Sequence, residues 1–267
     1  MISMRSSQVY ESGNPVEEAF ATRFLPPIGI ASATLPRRKL QSANLRSEFT
    51  FETPSIFPIA TSRKTSATRF AVTIKRMIDI IFSALGLLAI APLMAVIAAF
   101  IKLDSRGPVF YCAPRAGKMG HSFVCVKFRT MINNANAMKA GLRSQNERKG
   151  PFFKIVGDPR VTRLGRILRR YSLDELPQLW NVLTGEMSLV GPRPHPLDDC
   201  QLYLPRDLRR LDVTPGITGL WQVTARRDPS FQRNMALDLE YIERWSLTMD
   251  LQILYRTVFV VLQGTGA

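Results

Sequence analysis

The sequence predicts an α+β fold, mostly helical, in a monotopic membrane protein. A re-entrant helix-break-helix is expected to precede a cytoplasmic domain that carries amphipathic interfacial helices. Three observations predict this. Residues 80–101 form a run of 22 without a charge; basic side chains flank that run at both ends; and beyond position 104 short β-rich segments alternate with segments of helical spacing. The chain has 267 residues, 46% of them hydrophobic, enough for a buried core and too many for global disorder. Lys and Arg number 36 against 21 Asp and Glu, a net charge of +15 that suits a polyanionic partner: nucleic acid, an anionic membrane or a phosphorylated substrate.

In chain order, residues 1–70 mix Ser, Thr, Pro and scattered charge with no sustained period, and read as a flexible polar tail without the apolar stretch of a signal peptide. The membrane segment is assigned to 71–103. A straight helix over the uncharged run would span about 33 Å, close to the roughly 30 Å hydrocarbon core of a bilayer. Pro92, in the middle, removes a helix hydrogen bond and favours a kink. Arg63, Lys64, Arg69, Lys75 and Arg76 lie upstream; Lys102, Arg106, Arg115 and Lys118 lie downstream, opposed by Asp104. Basic flanks stay cytoplasmic, so two basic flanks place both ends inside. A helix broken at Pro92 that dips in and returns satisfies both observations. One kinked transmembrane helix is the alternative that these residues leave open.

Residues 104–267 make the remaining domain. VFYC (109–112) and FVCVKF (123–128) read as strands around the loop APRAGKMG, and 133–147 has helix-like composition. Basic residues at 163, 166, 169 and 170 have helical spacing, and SLDELPQLWNVLTG reads as a helix ending near Gly185. VGPRPHP and PGITGLWQVTARR read as loops. From Met235 onward Leu237, Tyr241, Trp245, Leu251, Leu254, Val258 and Leu262 recur near helical spacing, which suits a helix on a membrane surface as well as one packed on a core.

The densest chemical constellation is Asp174-Glu175, just after Arg160, Arg163, Arg166, Arg169 and Arg170. Carboxylates among so many cations should stay ionised at pH 7. They could hold a hard cation such as Mg2+ with substrate phosphates, or attack phosphorus as a nucleophile. The competing reading is a capping box, Ser172 to Glu175, that only closes a helix start. Two prolines around Arg193 present its guanidinium with little entropy cost, as a phosphate clamp or as an incidental turn residue. Lys127 and Arg129, two apart in KFRTM, would share one face of a strand. Trp221 and Arg226 offer a stacking surface and a cation, with core packing equally open for Trp221. Asp238 and Glu240 read as a solvated helix face, and His121 and His195 as lone loop histidines. Three cysteines at irregular spacing give no disulfide framework and fit a reducing compartment. There is no P-loop, no G-x-G-x-x-G, no H-E-x-x-H and no C-x-x-C.

Taken together, KRMID, the apolar segment with its central Pro, GPVFY, KFRTM, DPRVTRLG, LRRYSLDELPQLWNVLTGEMSLVGPRP and PGITGLWQV resemble the bacterial sugar transferase family, the monotopic polyprenol-phosphate phosphoglycosyl transferases. The resemblance runs from about Lys75 to Gly264, and the tail resembles members that start exopolysaccharide repeat units. It implies transfer of a sugar 1-phosphate, with galactose or glucose expected, from a UDP-sugar to undecaprenyl phosphate with release of UMP, on the cytoplasmic face of the bacterial inner membrane. It implies Asp174 as nucleophile through a covalent phosphosugar intermediate, and Glu175 and Asp174 as holders of Mg2+. Arg169, Arg193 and Lys127 would bind phosphates, Arg226 the nucleotide, and Pro92 would mark the membrane break. Anionic lipids are expected partners and nucleic acid is not; a homo-oligomer is left open. Ala91 stands where many members carry Ser, and Ala225 where Gly is common before Arg226. A non-catalytic scaffold of a polysaccharide assembly complex is the second reading, and the intact acidic pair speaks against it.

Overall fold

A computed structural model describes residues 66–139, 141–146, 155, 157–264 and 266. The tail assigned to 1–70 lies outside the described residues up to position 65. Within them the fold is mostly helical, with two small sheets. Helix α1 spans Ser66–Asp104, so the helix starts before position 71. Pro92 lies inside it and does not end it. One missing donor removes one hydrogen bond from a helix of 39 residues, and the bonds on either side remain. The apolar run is largely uncovered: Leu88 is 77% exposed and Leu103 82%. Among the described residues, one helix is long and apolar enough for a membrane anchor.

Both halves of α1 dock on the same fold. Before the apolar run, Lys75 ion-pairs with Asp250 at 2.7 Å and donates to the carbonyl of Val190. Arg76 donates to the carbonyls of Val182 and Leu183, and Asp79 accepts from the backbone N–H of Leu189. After it, Ile97 and Ile101 are buried with Phe128 and Leu168, with Leu173 and Leu176 packed against them. Burying side chains of this size contributes about 1.5–3 kcal/mol each.

Strands β1 (Phe110–Ala116) and β2 (Ser122–Phe128) form an antiparallel hairpin, close to the two segments expected. The 133–147 stretch does not form the helix its composition suggests, only single turns at Ala135–Met138 and Arg143–Gln145. It lacks an apolar stripe to hold a longer helix on the core, and composition alone is a weak helix signal. Helix α2 (Arg163–Arg170) and helix α3 (Gln178–Thr184) match expectation, α3 ending at Gly185 in the left-handed region (φ 91°). Strand β3 (Ser188–Val190), given no strand assignment from sequence, and β4 (Gly216–Thr218), read there as part of a loop, pair in parallel. At three residues each they are too short to show a period. Helix α4 (Leu220–Thr224) follows, then α5 (Phe231–Arg244) and α6 (Leu247–Leu262), the last two capped by Ser230 and Ser246.

Helix α6 packs one face on the core and leaves the other uncovered. Ile253 is buried with Val190 and Tyr241, while Leu251, Tyr255, Val258, Phe259 and Leu262 form an exposed apolar face.

Candidate active site

Three packing contacts bring the acidic pair into place. Thr162 caps α2 by accepting from the backbone N–H of Gly165 at 3.0 Å. Gly165 lets the helix rest on the backbone of Thr130, because a Cβ there would lie 2.1 Å from the Thr130 carbonyl oxygen. Arg169, on the last turn, donates to Thr130 Oγ1 at 2.9 Å. The chain then reverses through Ser172, a non-glycine residue at φ 57°, into a single 3-10 turn, Leu173–Glu175. Leu173 and Leu176 anchor that turn on the C-terminal half of α1.

The capping-box reading fails here. Ser172 makes no side-chain cap, and its Oγ accepts from Arg226 Nη2 at 2.7 Å instead. Glu175 turns away from the turn's backbone N–H groups. Its Oε1 accepts from Lys127 Nζ at 2.7 Å and from Arg193 Nη2, and its Oε2 accepts from Arg193 Nη1 at 3.1 Å. Lys127 comes from β2 and Arg193 from the loop after β3, so three separate elements meet at one carboxylate.

The two acids differ in their electrostatics. Burial works against ionisation of Glu175, but Arg193 and Lys127 outweigh it and hold the carboxyl far below the usual range. Asp174 is buried, and burial followed by the charge of Glu175 pushes its pKa up, with Lys127, Arg169 and Arg193 opposing. The cations thus act on the two acids unequally: their bonds go to Glu175. Among the described residues none donates a hydrogen bond to the Asp174 carboxylate.

Two adjoining cavities, of about 760 and 500 Å³, share this centre. Both are bordered by Arg115, Lys127, Arg169, Glu175, Arg193 and Arg226. The larger continues along Ile217, Trp221, Val223 and Val260; the smaller opens past Thr130, Asn133, Asn136 and Asp174. Every residue nominated from sequence for chemistry at this site, Asp174, Glu175, Arg169, Arg193, Lys127 and Arg226, is gathered here. Pro92 is placed elsewhere, within α1. Ala225 sits at φ −136°, open to any residue, so Gly is not required for Arg226 to reach Ser172.

Other readings change. Arg129 does not join Lys127: β2 ends at Phe128, and the buried guanidinium caps the end of α1 through the carbonyls of Ile101, Ser105 and Arg106. Asp238 is no solvated residue; it is 2% exposed and ion-paired to Arg210 at 2.6 Å. Arg210 also donates to the carbonyl of Arg193, to His195 Nδ1 and to the Tyr203 hydroxyl, so this pair underpins the Arg193 loop. His195 is buried there, whereas His121 is exposed. Trp221 is buried and walls the larger cavity. Sequence reasoning missed Arg210, and missed Asn181, whose side-chain amide pairs with the β2 backbone at Val124 and Val126. Asn181 lies within the SLDELPQLWNVL block, but no local pattern marks an amide that substitutes for a strand.

The donor set fits a hard divalent cation in part. No cluster of three or more His, Cys, Asp or Glu side chains occurs among the described residues. Glu175 is taken by two cations, which leaves Asp174, with Asp199 at the border of both cavities, as the carboxylates available, with substrate oxygens completing the shell. That is an ordinary arrangement for Mg2+ beside phosphates.

Comparison with known proteins gives a consistent picture. The family model for bacterial sugar transferases matches residues 70–264. The exopolysaccharide production protein ExoY of Sinorhizobium fredii is 40% identical over 197 residues, covering 72% of this chain and 87% of that protein. The undecaprenyl-phosphate galactose phosphotransferase of Salmonella typhimurium is 40% identical over 205 residues, 75% of this chain and 43% of that protein. The UDP-glucose:undecaprenyl-phosphate glucose-1-phosphate transferase of Caulobacter vibrioides is 42% identical over 192 residues, 69% of this chain and 68% of that protein.

Proposed function

This chain belongs to the bacterial sugar transferase family, and from that premise we propose that it transfers a sugar 1-phosphate from a UDP-sugar to undecaprenyl phosphate, releasing UMP. The observation that carries the reading is the contrast within the acidic pair: Glu175 is locked by Lys127 and Arg193, while Asp174 is buried, unbonded among the described residues and open to the cavity. A carboxylate free of hydrogen bonds keeps its lone pairs for a reacting atom.

In this reading a carboxylate oxygen of Asp174 attacks the β-phosphorus of the donor. The bond from that phosphorus to the bridging oxygen breaks, and UMP leaves with the electron pair. A phosphate oxygen of the lipid then attacks the same phosphorus, the Asp174 oxygen departs as carboxylate, and the polyprenyl diphosphate sugar is complete. Arg169, Arg193 and Lys127 neutralise phosphate oxygens, and Arg226 reaches the nucleotide from its seat on Ser172. Mg2+, when bound, supplies further neutralisation of the diphosphate. The sugar is a hexose, galactose or glucose, and the product begins an exopolysaccharide repeat unit.

The same proposal places the protein on the cytoplasmic face of the inner membrane with α1 re-entrant. Two features support it. Asp79 and Ile97 would lie about 27 Å apart along a straight helix, yet the residues at both positions pack on one domain, which a helix crossing to the far side would not allow. The exposed apolar face of α6, with Ile167 on α2 and Trp180 on α3 also exposed, suits contact with the interface, and the net positive charge suits anionic lipids.

The test is UMP release by the detergent-solubilised chain with Mg2+, undecaprenyl phosphate and a panel of UDP-sugars. Release with one sugar and its loss in Asp174→Asn is the expected result. Folded protein that releases no UMP from any donor would refute it and favour a scaffold role.

A further inference from the structure

Arg115 reads in the sequence as one of the basic residues flanking the apolar run, yet the fold puts it in the active site. On β1 it lies directly across from Phe123, and its other edge is bridged to Pro196. The neighbouring N–H of Ala116 donates to the carbonyl of His195 at 3.0 Å. The backbone here is therefore held from both sides, by β2 and by the loop that carries Arg193.

Paired residues in an antiparallel hairpin share a face, and alternate residues return to it. Arg115 thus projects from the same face as Cys125 and Lys127, and it borders both cavities as Lys127 does. The strand rise separates the origins of the two cations by about 13 Å, four residues along β2.

Their partners differ. Lys127 is bonded to Glu175, whereas among the described residues the Arg115 guanidinium makes no hydrogen bond or ion pair. Burial pushes its pKa down and the nearby Arg193 adds to that, with Cys125, Tyr111 and Asp199 opposing without a hydrogen bond to it. A half-buried guanidinium with five unused donors has lost water without gaining a partner, a cost that an entering anion would offset. Set four residues along the hairpin from Lys127, Arg115 can meet a part of a bound substrate away from the Lys127–Glu175 end of the site.

We propose that Arg115 is a further substrate-binding residue, which takes the phosphate that leaves with the nucleotide while Lys127, Arg169 and Arg193 surround the phosphate that Asp174 attacks. The proposal rests on the sugar diphosphate reading of the site. A planar fork held on a rigid strand suits two oxygens of one phosphate.

The test uses the full detergent-solubilised chain and two soluble probes, inorganic pyrophosphate and UMP, titrated by calorimetry. Arg115→Gln is compared with wild type and with Arg233→Gln, which removes an exposed charge of α5 outside both cavities. Arg115→Gln should weaken both probes about tenfold at an unchanged melting temperature, and Arg233→Gln should leave them unchanged. Should Arg115→Gln not fold, Arg115→Lys decides, with about threefold weakening expected from loss of the fork. Equal pyrophosphate affinity in wild type and variant, or none in wild type, overturns the proposal. Weaker pyrophosphate binding beside unchanged UMP binding overturns the assignment to the leaving phosphate. If pyrophosphate depends on Arg115 but wild type binds no UMP, the anion site stands and the uridine nucleotide reading falls.

Discussion

The two sides of the active-site cleft handle buried charge in opposite ways. On one side Glu175 is bonded to Lys127 and Arg193, and beneath it Arg210 and Asp238 neutralise each other while Arg210 holds the Arg193 backbone. On the other side Asp174, Arg115, Arg169 and Arg226 are buried or half-buried with few bonds or none, and burial pushes Asp174 up and the three arginines down. Compensated charges fix architecture, because their bonds are already made. Uncompensated ones cost free energy on burial that a bound ligand of opposite charge would offset. The contrast separates charges that are bonded within the fold from charges that are not, although all lie within one short block of chain or pack against it.

If the contrast holds, Asp174→Asn should lower turnover on the order of 10³-fold or more while raising the melting temperature at neutral pH, since it removes a buried, poorly compensated charge. A fall in both would erase the distinction. Arg210→Met should do the reverse in kind: it leaves Asp238 buried without a partner and costs about 3–5 kcal/mol in denaturant unfolding, most of which the double variant with Asp238→Leu should recover. Failure of the second change to recover stability would mean the pair is more than a mutual compensation.

The pH dependence sharpens the comparison further. Asp174 has a raised pKa, so its contribution to stability is present below its unfolded value near 3.9 and is lost as pH rises through the folded value. In the proposed role of nucleophile it acts ionised, so activity should fall on the acid side at a pH above the ordinary Asp range. Glu175 is depressed, so its contribution is present above about 4.3 and is lost as pH falls towards its folded value. Glu175→Gln should therefore destabilise the protein by about 1–3 kcal/mol at pH 7 and flatten the acid-side loss in melting temperature. Smallest of all, Ser172→Gly should relieve a left-handed backbone costing about 1–2 kcal/mol while losing the Arg226 hydrogen bond of about 1 kcal/mol. Net stability should barely move, and UMP affinity should drop as Arg226 loses its seat.

Much of this was legible in the chain. The apolar run, the hairpin, α2, α3 with its glycine stop and the helical C-terminal region all follow from periodicity and punctuation, which are local signals. The pairing of β3 with β4 was not, because two three-residue strands carry no period and their parallel register depends on chain that lies between them. The acidic pair stood out, but its sequence context suggested a helix cap, and only the arrival of Lys127 and Arg193 shows where Glu175 spends its oxygens. Asp238 looked solvated because the side chain that buries it, Arg210, lies 28 residues away.

The sequence by itself determined the long apolar segment, the positive charge, the family and several of the groups that gather in the cleft, Asp174, Glu175, Lys127, Arg169, Arg193 and Arg226, since these reside in composition, local pattern and motif. Tertiary structure alone decided their partners: which acid is neutralised, which arginines keep free donors, and which side of the cleft each faces. Partnership between charges depends on distances across the fold, and a buried charge is fixed or available according to whether a partner from elsewhere in the chain has reached it.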